Sequence, residues 1–414
     1  MRPLSRGRCS GSGGIGAAHD NLEHNRVGHP LRVVDLTPCA GLPHRCAALH
    51  QAMTSVAAPA PTRLWTPDRV LVTRSAAERP YGQHVLQRLE QAGVQDIELL
   101  RGDRLPNLRG DGDRAAFMRA KNTLALVVPP ASLRRLQPIA PSADWRFDLA
   151  QGCPAHCQYC YLAGSLSGPP ITRVHADLDE ALTGLDSYVG RGTVTSGTLA
   201  RGGEGTTFEA SCYTDPLALE HLTGGLARAI TAFGTRAWSG PVQLRATTKF
   251  DDVGSLLDLP HAGRTRLRFS LNAASVARRF EAATSPVAGR IAALGAVAAA
   301  GYPVGLTIAP IMPVEGWRAE YGDLLDAVAA VLPAGTDLTV ECITHRFTPG
   351  SKATLTEWYP RTRLEMDESR RTAKRGRFGA VKHVYPKDTM GELRGWFEDA
   401  LADRLPSARL LYWT

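Results

Sequence analysis

Three cysteines stand close together in the segment Cys153-Pro-Ala-His-Cys157-Gln-Tyr-Cys160. Thiolates are the standard protein ligands of iron–sulfur clusters. Three of them on one short loop can each bind a different iron of a cubane [4Fe–4S] cluster, and the fourth iron is then left without a protein ligand. The spacing therefore predicts a cluster with one iron open to a small molecule.

A structural zinc site is the alternative use of these cysteines, and it needs a fourth ligand. His156 lies between two of them, where it cannot easily close a tetrahedron with both, and no second C-x2-C or H-x3-H pair follows. The spacing and the aromatic Tyr159 before the last cysteine resemble the radical SAM superfamily. This resemblance implies that the open iron binds S-adenosylmethionine (AdoMet), which one electron cleaves to methionine and a hydrogen-abstracting 5′-deoxyadenosyl radical.

The sequence around the motif resembles the spore photoproduct lyase family from about Asp68 to the end of the chain. The segments that carry the similarity, in chain order, are residues 157–162, 169–174, 177–179, 208–215, 220–223, 247–250, 268–272, 309–311, 343–348 and 375–379. That family repairs 5-thyminyl-5,6-dihydrothymine, a crosslinked thymine dimer of ultraviolet-irradiated DNA. The resemblance implies a DNA-repair lyase that abstracts hydrogen from C6 of the lesion and returns one after the thymines separate.

The resemblance also assigns residues to the radical steps. Cys212, in the frame Glu209-Ala210-Ser211-Cys212, matches the cysteine that returns the hydrogen atom. A thiol suits this step because its S–H bond is weak, although a lone cysteine in an apolar strand is more often a packed core residue. Tyr159 and Tyr161 match two tyrosines proposed to pass the radical onward, and Tyr159 could equally pack beside the adenine.

For the AdoMet site, the resemblance points to Thr214, Lys249 and Ser270. Lys249 can pair with the ligand's carboxylate, and the two hydroxyls can hydrogen-bond its polar groups. Gly202-Gly203-Glu204 mimics a superfamily motif that binds the amino group, but it precedes its strand instead of following it. We therefore interpret it as a turn.

The basic segment 370–382 contains six basic residues and no acidic one. It is either a solvated loop or a phosphate-binding surface, and the buried lesion favours the second, because the dimer must be flipped out of an opened duplex. Lys374 and Arg375 are expected to contact DNA. Arg377 with Phe378 resembles the family's base-wedging hairpin, in which a tyrosine usually stands where this chain has Phe378.

The elements that must position these residues follow from the apolar pattern after Trp145. The predicted strands are residues 146–149, 207–211, 243–247, 266–271, 304–309 and 337–343, and the predicted helices are 178–189, 218–233, 253–257, 287–300 and 319–331. Strands that alternate with helices predict an α/β fold with a partial (β/α)6 TIM-type barrel and chemistry at the C-terminal strand ends. A small α/β module precedes it, with strands 69–72, 96–100 and 124–128 and helix 82–92.

We expect four regions in the chain: a disordered extension over 1–62, the α/β module over 63–144, the barrel over 145–348, and an irregular DNA-contacting segment with a terminal helix over 349–414. The 414 residues are 43% hydrophobic with a net charge of +8, which favours anionic partners. No membrane span or secretory signal is evident, so we expect a cytoplasmic monomer. The expected partners are double-stranded DNA with a thymine dimer lesion and an electron donor such as flavodoxin or ferredoxin.

Two other functions remain open from the sequence. One is a radical enzyme of the same family that acts on a different nucleic-acid substrate, because Tyr213 stands where smaller residues are usual and could reshape the pocket. The other is a non-catalytic iron–sulfur or zinc protein that binds nucleic acid. Cys212, Lys249 and Ser270 argue against the second, because binding alone needs none of them.

Overall fold

The computed structural model describes residues 64–106, 113–166, 168–375 and 381–414, so the expected extension over 1–62 lies outside the described residues. The strands are β1 Arg69–Val72, β2 Ile97–Leu99, β3 Thr123–Val127, β4 Gln137–Ile139, β5 Ala143–Arg146, β6 Ala150–Gln151, β7 His156–Cys157, β8 Thr172–His175, β9 Thr206–Glu209, β10 Val242–Thr248, β11 Thr265–Leu271, β12 Glu281–Ala282, β13 Val304–Ile311, β14 Leu338–Thr344, β15 Thr372–Arg375, β16 Val381–Val384 and β17 Arg409–Trp413. The helices are α1 Arg74–Ala77, α2 Pro80–Gln91, α3 Asp113–Lys121, α4 Ala131–Arg134, α5 Leu178–Gly184, α6 Leu217–Thr223, α7 Gly225–Thr235, α8 Ala274–Phe280, α9 Val287–Ala299, α10 Trp317–Val331, α11 Pro349–Trp358 and α12 Lys387–Arg404. None of the helices in these ranges is long and apolar enough to span a membrane.

The α/β module is built on a five-stranded sheet with the order β2-β1-β3-β8-β6. Helix α2 buries Val85 and Leu89, which lie four residues apart on the same helix face. The two strands at one side of the sheet, β8 and β6, come from the segments on either side of the cysteine motif. The cysteine loop is therefore attached to the sheet of the module at both of its ends.

The larger sheet has the order β17-β14-β13-β11-β10-β9-β5-β4 and curls into a half-barrel. All neighbours from β5 to β17 are parallel, which confirms the predicted partial barrel. The run 408–413 adds the parallel edge strand β17 beyond the six predicted strands. The predicted first strand, 146–149, is wrong in position: β5 ends at Arg146, and the chain then turns so that β6 can pair antiparallel with β8.

The structure differs from the prediction in one helix and in the stretch after His345. The single helix predicted over 218–233 is two helices, because Gly224 has a φ of +62° and ends α6 in the left-handed conformation. The stretch after His345, predicted to be irregular, contains α11 and the hairpin β15–β16. Helix α11 begins with a capping box between Thr348 and Ser351. The polar strands of the hairpin show no apolar alternation, so the apolar pattern did not predict them.

A network of buried ion pairs fills the middle of the half-barrel. Glu341 of β14 accepts from Arg245 of β10 at 2.6 Å and from Arg268 of β11 at 2.8 Å, and Arg268 also bonds Glu209 of β9. All four side chains are almost completely buried. Because each charge here is matched, this layer connects four strands below the mouth where the predicted site residues lie.

Candidate active site at the mouth of the half-barrel

The three cysteines lie on the loop between β6 and β8, and backbone bonds fix both sides of this loop. Gly152 donates its N–H to the carbonyl of Tyr213 at 2.8 Å, just before Cys153. Its φ is +94°, and a Cβ there would lie 2.4 Å from the carbonyl oxygen of Ile171, so only glycine fits. Further along, β7, which contains Cys157, pairs antiparallel with β12. The loop therefore presents its thiols at a defined place beside the barrel.

Burial governs the electrostatics of the three thiols. It raises the pKa of Cys153 to about 12, and it also raises the pKa of Cys157 and Cys160. Cys160 is near enough to the other two thiols to raise their pKa values further, while Lys121 and Lys249 act in the opposite direction. A thiol that binds a metal cation loses its proton, so three converging thiols with lysines nearby fit an iron cluster.

His156, the residue that a zinc site would use, packs against aromatic rings. Its ring centroid lies 5.8 Å from that of Phe117 in α3 and 6.5 Å from that of Tyr359 after α11. Burial lowers the pKa of His156 to about 4. Within the described ranges, no group of three or more His, Cys, Asp or Glu side chains is arranged to hold a single metal ion.

Lys249, Ser270 and Tyr159 meet around the buried carboxylate of Glu281. Lys249, immediately after β10, donates to Ser270 of β11 at 3.0 Å and to Glu281 at 3.0 Å. Its ammonium also lies 5.5 Å from the ring centroid of Tyr159, whose hydroxyl donates to the same carboxylate. Two predicted AdoMet-binding residues and one predicted radical-carrying tyrosine are thus neighbours.

Glu281 was not predicted, yet it organises this part of the mouth. Its carboxylate forms ion pairs with Arg290 at 2.6 Å and with Lys249. Burial opposes its ionisation, but the two cations outweigh burial and lower the pKa of Glu281 to about 2. Glu281 therefore stays charged at neutral pH and fixes both the Lys249 ammonium and the Tyr159 hydroxyl.

Thr214 offers a polar group that the chain leaves unused. Its hydroxyl is buried and has no hydrogen-bond partner among the described residues. The next residue, Asp215, accepts from the Thr248 hydroxyl at 2.7 Å and from the backbone N–H of Lys249 at 2.7 Å. This fixes the loop after β9 to the end of β10, so that Thr214 lies in the same mouth with a free hydroxyl.

Cys212 follows β9 in the loop that also contains Thr214. Its neighbour Ser211 donates to Glu209 and accepts from the backbone N–H of Thr247 at 2.8 Å, which positions this loop over the middle of the barrel. Burial, assisted by the carboxylate of Asp148, raises the pKa of Cys212 to about 12. The sulfur therefore keeps its hydrogen at neutral pH, as a hydrogen-atom donor requires.

Two tyrosines, Tyr161 and Tyr213, accompany Cys212. Tyr161 is 57% exposed and lies close enough to Cys212 to interact with it electrostatically. The Tyr213 ring lies 4.4 Å from the Arg146 guanidinium, which in turn is 3.7 Å from Asp148. The structure thus brings both predicted tyrosines to the mouth, one near Cys212 and the other beside Glu281.

The predicted DNA-contacting residues lie on the hairpin formed by β15 and β16. Lys374 and Arg375 are exposed on β15, and Lys374 stands opposite Lys382 of β16. Arg377 and Phe378 belong to residues 376–380 at the tip and lie outside the described residues.

Arg371, another basic residue of this segment, is buried and has a structural role. Its guanidinium bonds the Glu365 carboxylate and the His345 carbonyl and lies 3.9 Å from the ring centroid of Tyr385. It anchors the base of the hairpin and is not available to a phosphate.

The Gly202-Gly203-Glu204 segment is away from the site, as interpreted from the sequence. It forms a 3-10 turn before β9, and buried Glu204 pairs with Arg201 at 3.0 Å. Sequence reasoning missed Glu281, Asp215 and Lys121, whose ammonium donates to the carbonyls of the cysteine loop. No spacing pattern marks Lys121 or Glu281, because each comes from a segment far from the motif, and Asp215 was passed over although it lies next to Thr214 in the segment 208–215.

The comparisons with known proteins agree on one family. The family model for spore photoproduct lyase matches residues 65–414. The chain is similar to the spore photoproduct lyase of Bacillus subtilis, with 37% identity over 84% of this chain and 99% of the relative. It is also similar to those of a Geobacillus species, with 35% identity over 84% and 99%, and of Clostridium acetobutylicum, with 31% over 80% and 93%.

Solved structures give the same result. A spore photoproduct lyase mutant with bound AdoMet and dinucleoside spore photoproduct matches with a TM-score of 0.76 and 34% identity, over 85% of this chain and 100% of that one. A spore photoproduct lyase complexed with dinucleoside spore photoproduct matches with the same TM-score, identity and coverage. The fold and the motifs of this chain thus agree with those of relatives that it matches over nearly their entire length.

Proposed function

The chain belongs to the spore photoproduct lyase family and is a radical SAM repair lyase, and on that premise we propose how its mouth acts. Cys153, Cys157 and Cys160 would hold a [4Fe–4S] cluster, and the one iron that they leave without a protein ligand would be available to AdoMet. The observation that carries this proposal is the convergence of the three thiols with the Lys249 ammonium and the unpartnered Thr214 hydroxyl. A fold without a ligand at this place would have no use for that set of groups.

Each polar residue of the mouth has a task toward AdoMet. The Lys249 ammonium pairs with the carboxylate of the ligand, while Ser270 and Thr214 hydrogen-bond its polar groups. Glu281 keeps the Lys249 side chain in place before the ligand arrives. When bound, the cluster and AdoMet supply a hydrogen-abstracting adenosyl radical, and the protein supplies orientation.

The substrate is the spore photoproduct, the lesion that the matched relatives bind as a dinucleoside. Abstraction of hydrogen at C6 lets the bond between the two thymines break, which leaves a radical on one thymine. Cys212 then donates a hydrogen atom: its S–H bond breaks, a C–H bond forms, and the unpaired electron moves to sulfur. Its high pKa supports this role, because a thiolate would have no hydrogen to give.

Tyr161 and Tyr159 pass the radical onward from Cys212. Tyr161 lies near Cys212, and Tyr159 lies on the side of Lys249 and Glu281, so the two side chains are suited to successive steps. A phenolic O–H is suited to this step because it can return a hydrogen atom to a sulfur radical. An external electron donor of the flavodoxin or ferredoxin type would supply the electron that the cluster needs.

Double-stranded DNA is held by the hairpin β15–β16. Lys374 and Lys382 stand directly opposite each other, and like charges in this arrangement destabilise a hairpin unless an anion lies between them. A DNA phosphate would supply that anion, with Arg375 beside it. Arg377 and Phe378 at the tip would wedge the opened base pairs.

The test is a repair assay with the reconstituted protein. After anaerobic loading with iron and sulfide, dithionite, AdoMet and the dinucleotide lesion are added, and chromatography follows the products. Release of thymine monomers is expected. AdoMet cleavage without thymine release would indicate a different nucleic-acid substrate, and absence of cleavage by a fully loaded protein would contradict the enzymatic proposal.

Cys212→Ala tests the hydrogen-return step separately. We expect this variant to cleave AdoMet but to lose at least about tenfold in the initial rate of thymine formation, equivalent to about 1.4 kcal/mol at the transition state, with trapped by-products in place of thymine. Cys342→Ala, which removes a buried thiol of β14 away from the mouth, is the matched control. Normal repair by Cys212→Ala without by-products would show that another group returns the hydrogen.

A further inference from the structure

Lys121, the last residue of α3, reaches from the α/β module to the cysteine loop. Its side chain is only 7% exposed. The ammonium donates hydrogen bonds to two carbonyls of the loop, those of Cys153 and Ala155. A single side chain of the module is thus attached to the loop at one cluster cysteine and again two residues later.

The charge of this ammonium has no match in the described part of the chain. None of the carboxylates in those ranges forms an ion pair with Lys121, although a buried ammonium is unfavourable unless it is paired. Lys249, at the same mouth, differs, because Glu281 lies 3.0 Å from its Nζ. The hydrogen bonds to carbonyl dipoles use two of the three N–H donors of Lys121 and leave its net charge uncompensated.

The groups that surround this charge are the thiols of the cluster loop. The Lys121 ammonium bonds the carbonyl of Cys153 itself, so its charge lies beside the loop that carries all three thiols. In an assembled cluster, the negative charge of the three thiolates would exceed the positive charge of the iron–sulfur core. The cluster with its thiolates would therefore be an anion, and reduction would make it more negative. Net charge and hydrogen bonding around a cluster set its reduction potential.

We propose that Lys121 is a positioning residue that holds the cysteine loop and supplies the counter-charge of the cluster, and that it thereby raises the cluster's reduction potential. The inference rests on the proposed function, since it requires that the three cysteines hold a cluster. It gives the α/β module a part in the chemistry, because the module delivers one positive charge to the place where an electron must be accepted.

The purely structural alternative makes a different prediction. If Lys121 only ties the loop through hydrogen bonds, then a neutral donor should replace it and the potential should not depend on charge. Lys121→Gln keeps an amide donor and removes the charge, Lys121→Met removes both, and Lys121→Arg keeps the charge. Lys387→Met removes a positive charge from the exposed start of α12 and serves as the matched control.

The experiment measures iron and sulfide per chain after anaerobic reconstitution, and then the cluster's potential in a redox titration followed by electron paramagnetic resonance. We expect the reduction equilibrium to fall about tenfold in Lys121→Gln and Lys121→Met, a shift of about 59 mV toward more negative values for one electron. Lys121→Arg and Lys387→Met should stay close to the wild-type potential. Far-UV circular dichroism checks that each variant is folded.

The outcomes separate this inference from the proposed function. If the wild type fails to load a cluster, the proposed function is wrong. If the wild type loads and Lys121→Gln has the same potential as Lys387→Met, the inference is overturned. If Lys121→Met does not fold, the potential of Lys121→Gln decides alone. If Lys121→Gln folds but does not load iron, while Lys121→Arg loads normally, that result also supports the role of Lys121 as counter-charge.

Discussion

The middle of the half-barrel and its mouth both contain buried charges, but only the middle matches them all within the chain. In the middle, Glu341 lies between Arg245 and Arg268, and Arg268 also bonds Glu209. At the mouth, the Lys121 ammonium has no carboxylate partner among the described residues. The carboxylates and guanidinium groups of the barrel strands are therefore paired with one another, whereas the ammonium that α3 brings to the mouth is not.

This difference concerns the pairing of charges, and both layers also contain buried polar atoms without a hydrogen-bond partner among the described residues. Buried polar groups are normally satisfied inside the protein, because an unsatisfied one loses its hydration without compensation. The Thr214 hydroxyl and the Asp148 Oδ1 atom are buried at the mouth without a hydrogen-bond partner among the described residues. The Nε atoms of Arg245 and Arg268 in the middle also lack a hydrogen-bond partner among the described residues, so the two layers differ in how their charges are paired.

The largest effect is expected from a change at the mouth that removes a cluster ligand. Cys157→Ala should abolish cluster loading and AdoMet cleavage altogether, because the cluster would lose one of its three protein ligands. Iron content and visible absorbance after reconstitution measure this. Cys342→Ala, in the middle of β14, should load normally, and a loaded Cys157→Ala protein would break the assignment of the ligands.

A change in the middle should instead affect stability. Glu341→Gln leaves two buried guanidinium groups short of one anion, so we expect the free energy of unfolding to fall by about 3–5 kcal/mol. Urea unfolding of the cluster-free protein measures this loss. Glu357→Gln on the exposed face of α11 should change stability by no more than about 0.5 kcal/mol, and a similarly small effect of Glu341→Gln would mean that the network is dispensable.

Lys249→Met should instead weaken AdoMet binding more than it lowers stability. We expect AdoMet to bind at least about tenfold more weakly to the loaded protein, a loss of about 1.4 kcal/mol, because the carboxylate of the ligand loses its cation. Stability should fall less than in Glu341→Gln, since Arg290 still neutralises Glu281. Isothermal titration with AdoMet and urea unfolding give the two values, with Lys387→Met as control. Unchanged affinity would remove Lys249 from the binding site.

The smallest effect is a pH dependence that arises from Glu281. Lys249 and Arg290 lower its pKa from the ordinary 4.5 to about 2, so its ionised form stabilises the folded state above pH 4.5. This contribution should decline as the pH falls below 4.5 and be lost near pH 2. Comparing the unfolding free energy of cluster-free wild type and Glu281→Gln over this range measures it. Parallel curves for the two proteins would contradict the depressed pKa.

Much of the fold and of the site was accessible from the sequence. The three cysteines lie within one loop, so their spacing could be read directly. Between residues 243 and 343, predicted strands alternate with predicted helices, a pattern typical of parallel βα units. The strand ends near Lys249 and Ser270 were therefore expected at one mouth, and the structure brings these two side chains to 3.0 Å. The hairpin β15–β16 was missed because its exposed polar strands carry no apolar alternation, and α11 was missed because it buries only Ser351 and Leu355 and so shows no apolar face.

The sequence by itself determined the parallel barrel through its periodic burial, and it predicted the cluster loop and the role of Cys212 from local spacing and from contiguous motifs that resemble those of the family. Only the tertiary structure decided which charged side chains lie beside the cysteine loop and beside Lys249. Lys121 and Glu281 come from segments on opposite sides of the motif, and a single charged residue has no period or spacing of its own. Its role depends on whether the folded chain places an opposite charge beside it, and that is fixed by packing across distant elements.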